Sequence, residues 1–284
     1  MTKTIVIANP KGGVGKTTTA INLAASFAVA EKSVLMIGLD PNGSLAAGWE
    51  LEANNYDAGI YEIFTGTYDC IDVIRKSQLQ NLDVIPCNTH THEQEVRLEQ
   101  MSKNRILLKR KILDLSLKAK KDYDYIIIDT PPAVNDLTIS ALYAATSVLI
   151  PLQTGYFSLR VVEKLLQMID RVKNGVNPNL QIEGILLNFY EKNTRASQLT
   201  VEEAHRLFGS QVFNTVIPKN AALSYAAFEK KPLILVDAIA SGSIAYLSLA
   251  DEIMKRNEPV KWRIEFDEPI EENSDEKLIL LNIG

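Results

Sequence analysis

One short stretch near the amino terminus constrains the fold more than any other. An apolar run, Thr4-Ile-Val-Ile-Ala8, leads into Lys11-Gly12-Gly13-Val14-Gly15-Lys16-Thr17-Thr18, and helical periodicity then runs to about Ala30. Strand, glycine loop and helix form the arrangement in which backbone N–H groups wrap a phosphate at a helix amino terminus, where the macrodipole favours anions. Gly12 to Lys16 would build that cradle. Lys16 would reach the β- and γ-phosphates of a nucleotide, and the Thr17 hydroxyl would ligate Mg²⁺. The strict G-x-x-x-x-G-K-[ST] spacing fails at its first glycine, which is Pro10. Lys11 is a surplus cation that cannot easily fold back onto its own loop's phosphates. Its expected use is to reach a nucleotide held by a second copy of the chain.

The rest of the chain repeats the same alternation of apolar run and helical pattern. Strands are expected at Ser33–Leu39, Leu82–Pro86, Tyr125–Ile128, Ser147–Pro151, Ile182–Asn188 and Val212–Ile217, with one long charged helix from about Glu93 to Lys121. Continuous Val/Ile/Leu runs fit strands covered on both faces, hence an α/β fold with a mainly parallel twisted sheet and helices on both sides. No internal repeat, low-complexity segment or interior linker interrupts it. One domain over 1–256 is the economical reading.

Two acids fall where such a loop needs them. Asp129 ends the Tyr125–Ile128 run, ahead of Thr130-Pro131-Pro132, where a carboxylate could hold a Mg²⁺-bound water. Asp40 ends the second strand, ahead of Pro41-Asn42-Gly43, placed to orient an attacking water or to join the metal shell. A strand-end Asp also caps turns, which is the plainer reading of Asp40.

Bulk properties exclude several classes. No apolar run nears the roughly 20 residues of a membrane helix, and no export signal precedes the first strand. Only Cys70 and Cys87 occur, without CxxC spacing, which argues against a disulfide scaffold or metal-cluster carrier and suits a cytoplasmic setting. The net charge of −5 resides wholly in an acidic tail, 257–284, that ends near Leu278-Ile-Leu-Leu281. The balanced body can still carry a basic face. His90 and His92 read as a solvated loop, and the lysines and arginines between Lys103 and Lys121 as helix-terminal charge.

Taken together, Lys-Gly-Gly-Val-Gly-Lys-Thr-Thr, Asp40-Pro41, Ile-Ile-Ile-Asp-Thr-Pro-Pro and Ile217-Pro218-Lys219-Asn220 resemble the deviant Walker A, switch I, switch II and Ile-Pro-Arg-Asn segments of ParA/MinD-type ATPases, over about Lys3 to Lys255. The likeness is strongest to ParA (Soj-like) partition ATPases without an amino-terminal DNA-binding domain, since the first strand begins near residue 3. The resemblance implies a P-loop fold, an ATP-sandwich homodimer with Lys11 on the phosphates across the interface, and slow hydrolysis stimulated by a ParB-like or other adaptor. It casts Lys16, Thr17, Asp40 and Asp129 as phosphate, magnesium, hydrolytic and Walker B residues, with Thr18 in the loop and Asn188 and Pro218 toward the adenine. It also implies nonspecific double-stranded DNA as the track, a nucleoid-associated location, and plasmid, chromosome or protein cargo. Lys192, Arg195, Arg206, Lys219, Lys230 and Lys231 are the candidate phosphate contacts.

The chain departs from that pattern at Gly38 and Asn42 in switch I, where the family often has Asp and Gln, and at Tyr225-Ala226-Ala227, where Glu-Ala-Pro is usual. A MinD-like membrane-associated ATPase is the alternative, disfavoured by an acidic terminus that anionic lipid repels. A nucleotide-locked scaffold with negligible turnover is the other, kept open by Gly38. A tyrosine kinase of related fold would want a terminal tyrosine cluster, and none follows Tyr246.

Overall fold

The computed structural model describes residues 2–43, 45, 48–49, 58–119 and 121–258. Among these, strands β1 (Lys3–Ile7), β2 (Val34–Gly38), β3 (Arg75–Lys76), β4 (Leu82–Ile85), β5 (Tyr125–Asp129), β6 (Ser147–Gln153), β7 (Gln181–Tyr190) and β8 (Val212–Pro218) form one sheet. Its order is β3-β4-β2-β5-β1-β6-β7-β8, parallel throughout except for the β3–β4 pair. The helices are α1 (Lys16–Val29), α2 (Ile60–Thr65), α3 (His92–Ser102), α4 (Leu107–Lys118), α5 (Asp136–Ala144), α6 (Tyr156–Gly175), α7 (Arg195–Phe208), α8 (Ala221–Phe228), α9 (Leu233–Val236) and α10 (Ser241–Asn257).

The two-sided burial follows from strand alternation. Ile126 and Ile128 face one core with Leu35, Ile37, Val148 and Ile150, while Ile127 faces the other with Ile5, Ile7, Met36 and Leu149. Helices α4, α5 and α6 cover the first face, and α1 and α10 the second. Helix α1 lies close against the sheet because Ala20, Ala24, Ala25 and Ala28 carry little bulk, and Phe27 stacks on Tyr125 with ring centroids 4.0 Å apart.

Two expectations are corrected. The single helix over 93–121 is two helices. The chain turns between Ser102 and Leu107, where Leu107 N–H bonds the Asn104 carbonyl, and the turn lets α4 bury Leu108, Ile112 and Leu115. The edge strand β3 escaped the sequence reading, because its two polar residues, Arg75 and Lys76, carry no apolar run. The other edge, β8, is closed over Asn214 and Thr215, whose N–H groups both donate to the Glu252 carboxylate at 2.9 Å. The last described residues are Asn257 and Glu258, so 259–284, most of the predicted acidic tail, lies outside the described residues, as does Lys120.

Candidate functional site

Strand register assembles the site. Ile7 and Gly38 both stand level with Asp129, so the carboxyl ends of β1, β2 and β5 finish together. The chain crosses from β1 past β5 to β2 on one side, and later from β5 back past β1 to β6 on the other, so the connections diverge around β1 and β5, the position at which open α/β sheets take ligands. The loop after β1 turns through Gly13 and Gly15, at φ 72° and 87°, and Gly15 caps α1 without a side chain. The first-turn N–H groups of α1 thus meet no side-chain cap and no acid, which is what an anion cradle requires.

The two lysines of the loop have opposite environments. Lys16 is buried, with its ammonium donating to the Lys11 carbonyl at 3.1 Å. Burial lowers its pKa, against the pull of the Asp129 and Asp40 carboxylates. Lys11 is exposed, and its ammonium makes no hydrogen bond or ion pair among the described residues. Its backbone is nevertheless fixed, since Lys11 N–H donates to Asn9 Oδ1 at 2.9 Å while Asn9 Nδ2 donates to the Pro151 carbonyl on β6 at 2.7 Å. Asn9, 3% exposed, is a residue the sequence reading missed. The available signal was a polar residue directly ahead of the loop, where a core strand ends.

Asp129 is fully buried, and Thr17 donates its hydroxyl to Oδ2 at 2.7 Å. Its second oxygen, Oδ1, has no hydrogen-bond partner. Burial, with the nearby Asp40 charge adding, pushes this carboxyl up to about 7, although Thr17 and Lys16 oppose the shift. A buried carboxylate oxygen without a hydrogen-bond partner, beside a threonine hydroxyl, fits a hard divalent cation such as Mg²⁺. Asp40 is also buried. It caps its own turn, its Oδ1 accepting from the Asn42 backbone at 3.1 Å and side chain at 2.9 Å, so the plain capping role is real. Its charge also acts on Lys16 and Asp129, which places it at the phosphate end of the site.

The remaining predicted residues divide. Asn188 lies beneath the loop, where Nδ2 donates to the Val14 carbonyl at 2.9 Å and Oδ1 is buried without a partner. A side chain on Gly15 would strike that amide at 2.8 Å. Pro218 ends β8 opposite Tyr190 and lines a neighbouring cavity of about 660 Å³. Next to it, a cavity of about 560 Å³ is bounded by Thr18, Phe189, Lys219 and Asn220, with Thr18 on the first turn of the helix that follows the loop. At Gly38 a Cβ would stand 3.3 Å from Leu45 Cβ and 3.4 Å from the Cys87 nitrogen. Burial pushes both the Cys70 and Cys87 thiols up to about 12.

Among the basic candidates, Lys192 and Lys219 line the 660 Å³ cavity, Lys219 also lines the next, and Lys231 lines a third that shares Thr18 and Leu223 with the second. These cations therefore follow one surface from the β7–β8 corner to the phosphate loop. Arg195 opens α7 at that corner and Lys230 adjoins Lys231, both exposed. Arg206 stands apart, near the far end of α7 and ion-paired with Glu203. Four members of the basic cluster around α4 are held in structural pairs: Lys111 and Lys118 with Asp69, Lys121 with Asp83, and Arg105 with Asp136. His92 faces Glu95 at the start of α3. No described helix is long and apolar enough to cross a membrane.

Known proteins resemble this chain along most of its length. A family model described as an AAA domain (AAA_31) matches residues 2–182. The chromosome partitioning protein ParA of Myxococcus xanthus is 40% identical over 255 residues, 90% of this chain and 89% of that protein. The sporulation initiation inhibitor protein Soj of Bacillus subtilis is 40% identical over 254 residues, 89% of this chain and 98% of that protein. The crystal structure of cobyrinic acid a,c-diamide synthase from Mycobacterium smegmatis, with bound ATP analogue and magnesium, superposes with TM-score 0.75 at 26% identity, over 90% of this chain and 96% of that one. The chain belongs to the ParA/MinD-type family of deviant Walker A P-loop ATPases.

Proposed function

We propose that this protein is a Mg-ATP-dependent dimerising ATPase that binds DNA nonspecifically in its ATP state and hydrolyses ATP slowly to position a DNA or protein cargo, with an adaptor stimulating turnover. The observation that carries the reading is the division between the two loop lysines. Lys16 is buried and aimed across its own cradle, whereas Lys11 is held at the backbone by Asn9 with its ammonium free at the surface. A cation fixed at its base and unpaired at its tip is built to meet an anion arriving from outside. A nucleotide in the loop of a second copy is such an anion.

In this reading the loop N–H groups and Lys16 hold the phosphates, and Thr17 and Asp129 hold the magnesium. Magnesium held by these two residues would supply positive charge against the phosphates. Asp40 orients the attacking water, and Lys11 of the partner stabilises charge on the transferring phosphoryl group. Asn188 supports the loop from below while Pro218 and the Thr18–Phe189–Asn220 cavity receive the base. Lys192, Arg195, Lys219, Lys230 and Lys231 contact DNA phosphates. Arg206, bound to Glu203, contributes least.

The test is the Lys11→Ala protein. It should bind ATP within about twofold of wild type yet remain monomeric in light scattering with ATP, because deleting one exposed cation leaves its own cradle intact. Loss of ATP binding in that variant would sink the division of labour. A second reading, a nucleotide-locked dimer with negligible turnover, is favoured by Gly38. The position has no carboxylate, and a Cβ there would already stand 3.3 Å from Leu45 Cβ and 3.4 Å from the Cys87 nitrogen. Phosphate release no faster than in Lys16→Ala, with and without adaptor, would select it.

A further inference from the structure

We infer that the acidic carboxyl-terminal segment docks on the β7–β8 corner of its own chain and competes there with polyanions. From Asn257 onward the sequence has eight acidic and three basic residues and then the apolar quartet Leu278-Ile279-Leu280-Leu281. The Soj relative is covered over 98% of its length by 254 of this chain's 284 residues, so a piece of tail size is an addition to the shared body.

The corner offers the complementary chemistry. Its cavity of about 660 Å³ has an apolar wall of Val216, Pro218, Ile244 and Ala245, with Lys192 and Lys219 at the rim. Ile244 is 54% exposed. The ammonium of Lys192 and the guanidinium of Arg195 have no ion-pair partner among the described residues. Lys219 pairs with Glu191 at 3.0 Å, but both side chains are largely exposed, and solvent screens such a pair so that it holds weakly. A run of carboxylates can displace it.

Reach is sufficient. Asn220 Nδ2 donates to Ser241 Oγ, so α10 starts beside the corner, and its 17 residues carry the chain only ~25 Å away. Extended chain at ~3.3 Å per residue returns that distance by about Glu265, where the acidic run begins, and leaves ample length to seat Leu278–Leu281. The acids then lie along the lysines that lead toward Thr18 of the phosphate loop, so nucleotide and tail share one neighbourhood.

The contact is tested on the full-length, nucleotide-free protein by zero-length carbodiimide cross-linking and peptide mass spectrometry. Cross-links from Glu265–Glu276 to Lys192, Lys219, Lys230 or Lys231 within one chain are expected. Links only to Lys103 or Lys109, only between copies, or none at all, would overturn the docking. The competition rests on the DNA reading above and is measured separately, with an unrelated DNA duplex and ATP. The full chain carrying E265Q, D267N, E268Q, E271Q, E272Q, D275N and E276Q should bind about tenfold more tightly than wild type at low salt, the gap closing as salt rises. Equal affinity across the series would overturn the competition. If neither protein binds duplex while the intrachain cross-links persist, the DNA reading fails and the docking stands.

Discussion

The phosphate end of the sheet and the β7–β8 corner both gather charge, but in opposite ways. At the phosphate end the charged groups are buried, few and fixed by strand register: Asp129 level with Ile7 and Gly38, Thr17 on its Oδ2, and Lys16 on the Lys11 carbonyl. At the corner they are long, exposed cations spread over adjoining cavities. The first arrangement presents donors before a ligand arrives and serves one chemical geometry. The second, in the proposed reading, serves to hold any polyanion loosely and under the control of salt. Lys11 belongs by sequence to the first region and by exposure to the second.

The sharpest way to break this contrast is at the buried end. Lys16→Ala removes the buried ammonium of the cradle and should weaken ATP binding by ~100-fold or more in equilibrium titration, given what a buried charge-assisted contact supplies. A loss under about fivefold would mean the cradle does not depend on it. Asp129→Asn should weaken magnesium-dependent nucleotide binding by ~10-fold, with binding measured against free Mg²⁺.

The elevated carboxyl of Asp129 adds a pH signature. Its folded value of about 7 lies above the ordinary 3.8, so its contribution to stability is fully present below 3.8 and is lost as pH rises through 7. Magnesium needs the ionised form, so below about pH 7 its binding must expel a proton. Calorimetry in buffers of different ionisation enthalpy should find proton release approaching one per site at pH 6 and fading by pH 8, and none in Asp129→Asn. Release independent of pH would contradict the assignment.

At the corner the effects should be smaller and sensitive to salt. Lys219→Ala should lower duplex affinity a few-fold and reduce the slope of log K against log salt by about one. Arg206→Ala is the control. Far from the cavities and held by Glu203, it should change affinity by less than about 1.5-fold. Equal losses in the two variants would erase the distinction drawn between them.

The same contrast explains what the sequence made legible. The loop, Asp40 and Asp129 could be placed because strand ends and a glycine turn fix backbone position locally, and backbone position is what phosphate and metal read. Strand limits were close for the same reason, since Tyr125–Asp129 and its neighbours are continuous apolar runs. Asn9 and the loop-supporting hydrogen bond of Asn188 were not legible. Each depends on a partner brought near only by the sheet order, the Pro151 carbonyl in one case and the Val14 carbonyl in the other. The separation of Arg206 from Lys192 and Lys219 is equally tertiary, since the 14-residue helix α7 sets it roughly 16 Å from Arg195 along its axis. The turn near Asn104 broke a helix whose periodicity was otherwise unbroken.

The central claim is that a nucleotide in this loop completes its contacts through Lys11 of a second copy. Light scattering of the Asp40→Ala protein with ATP tests it most directly, because blocking hydrolysis should trap the ATP state. A dimer at micromolar concentration, reverting to monomer when Lys11→Ala is added to the same chain, is the predicted result. An Asp40→Ala protein that binds ATP and stays monomeric would contradict it.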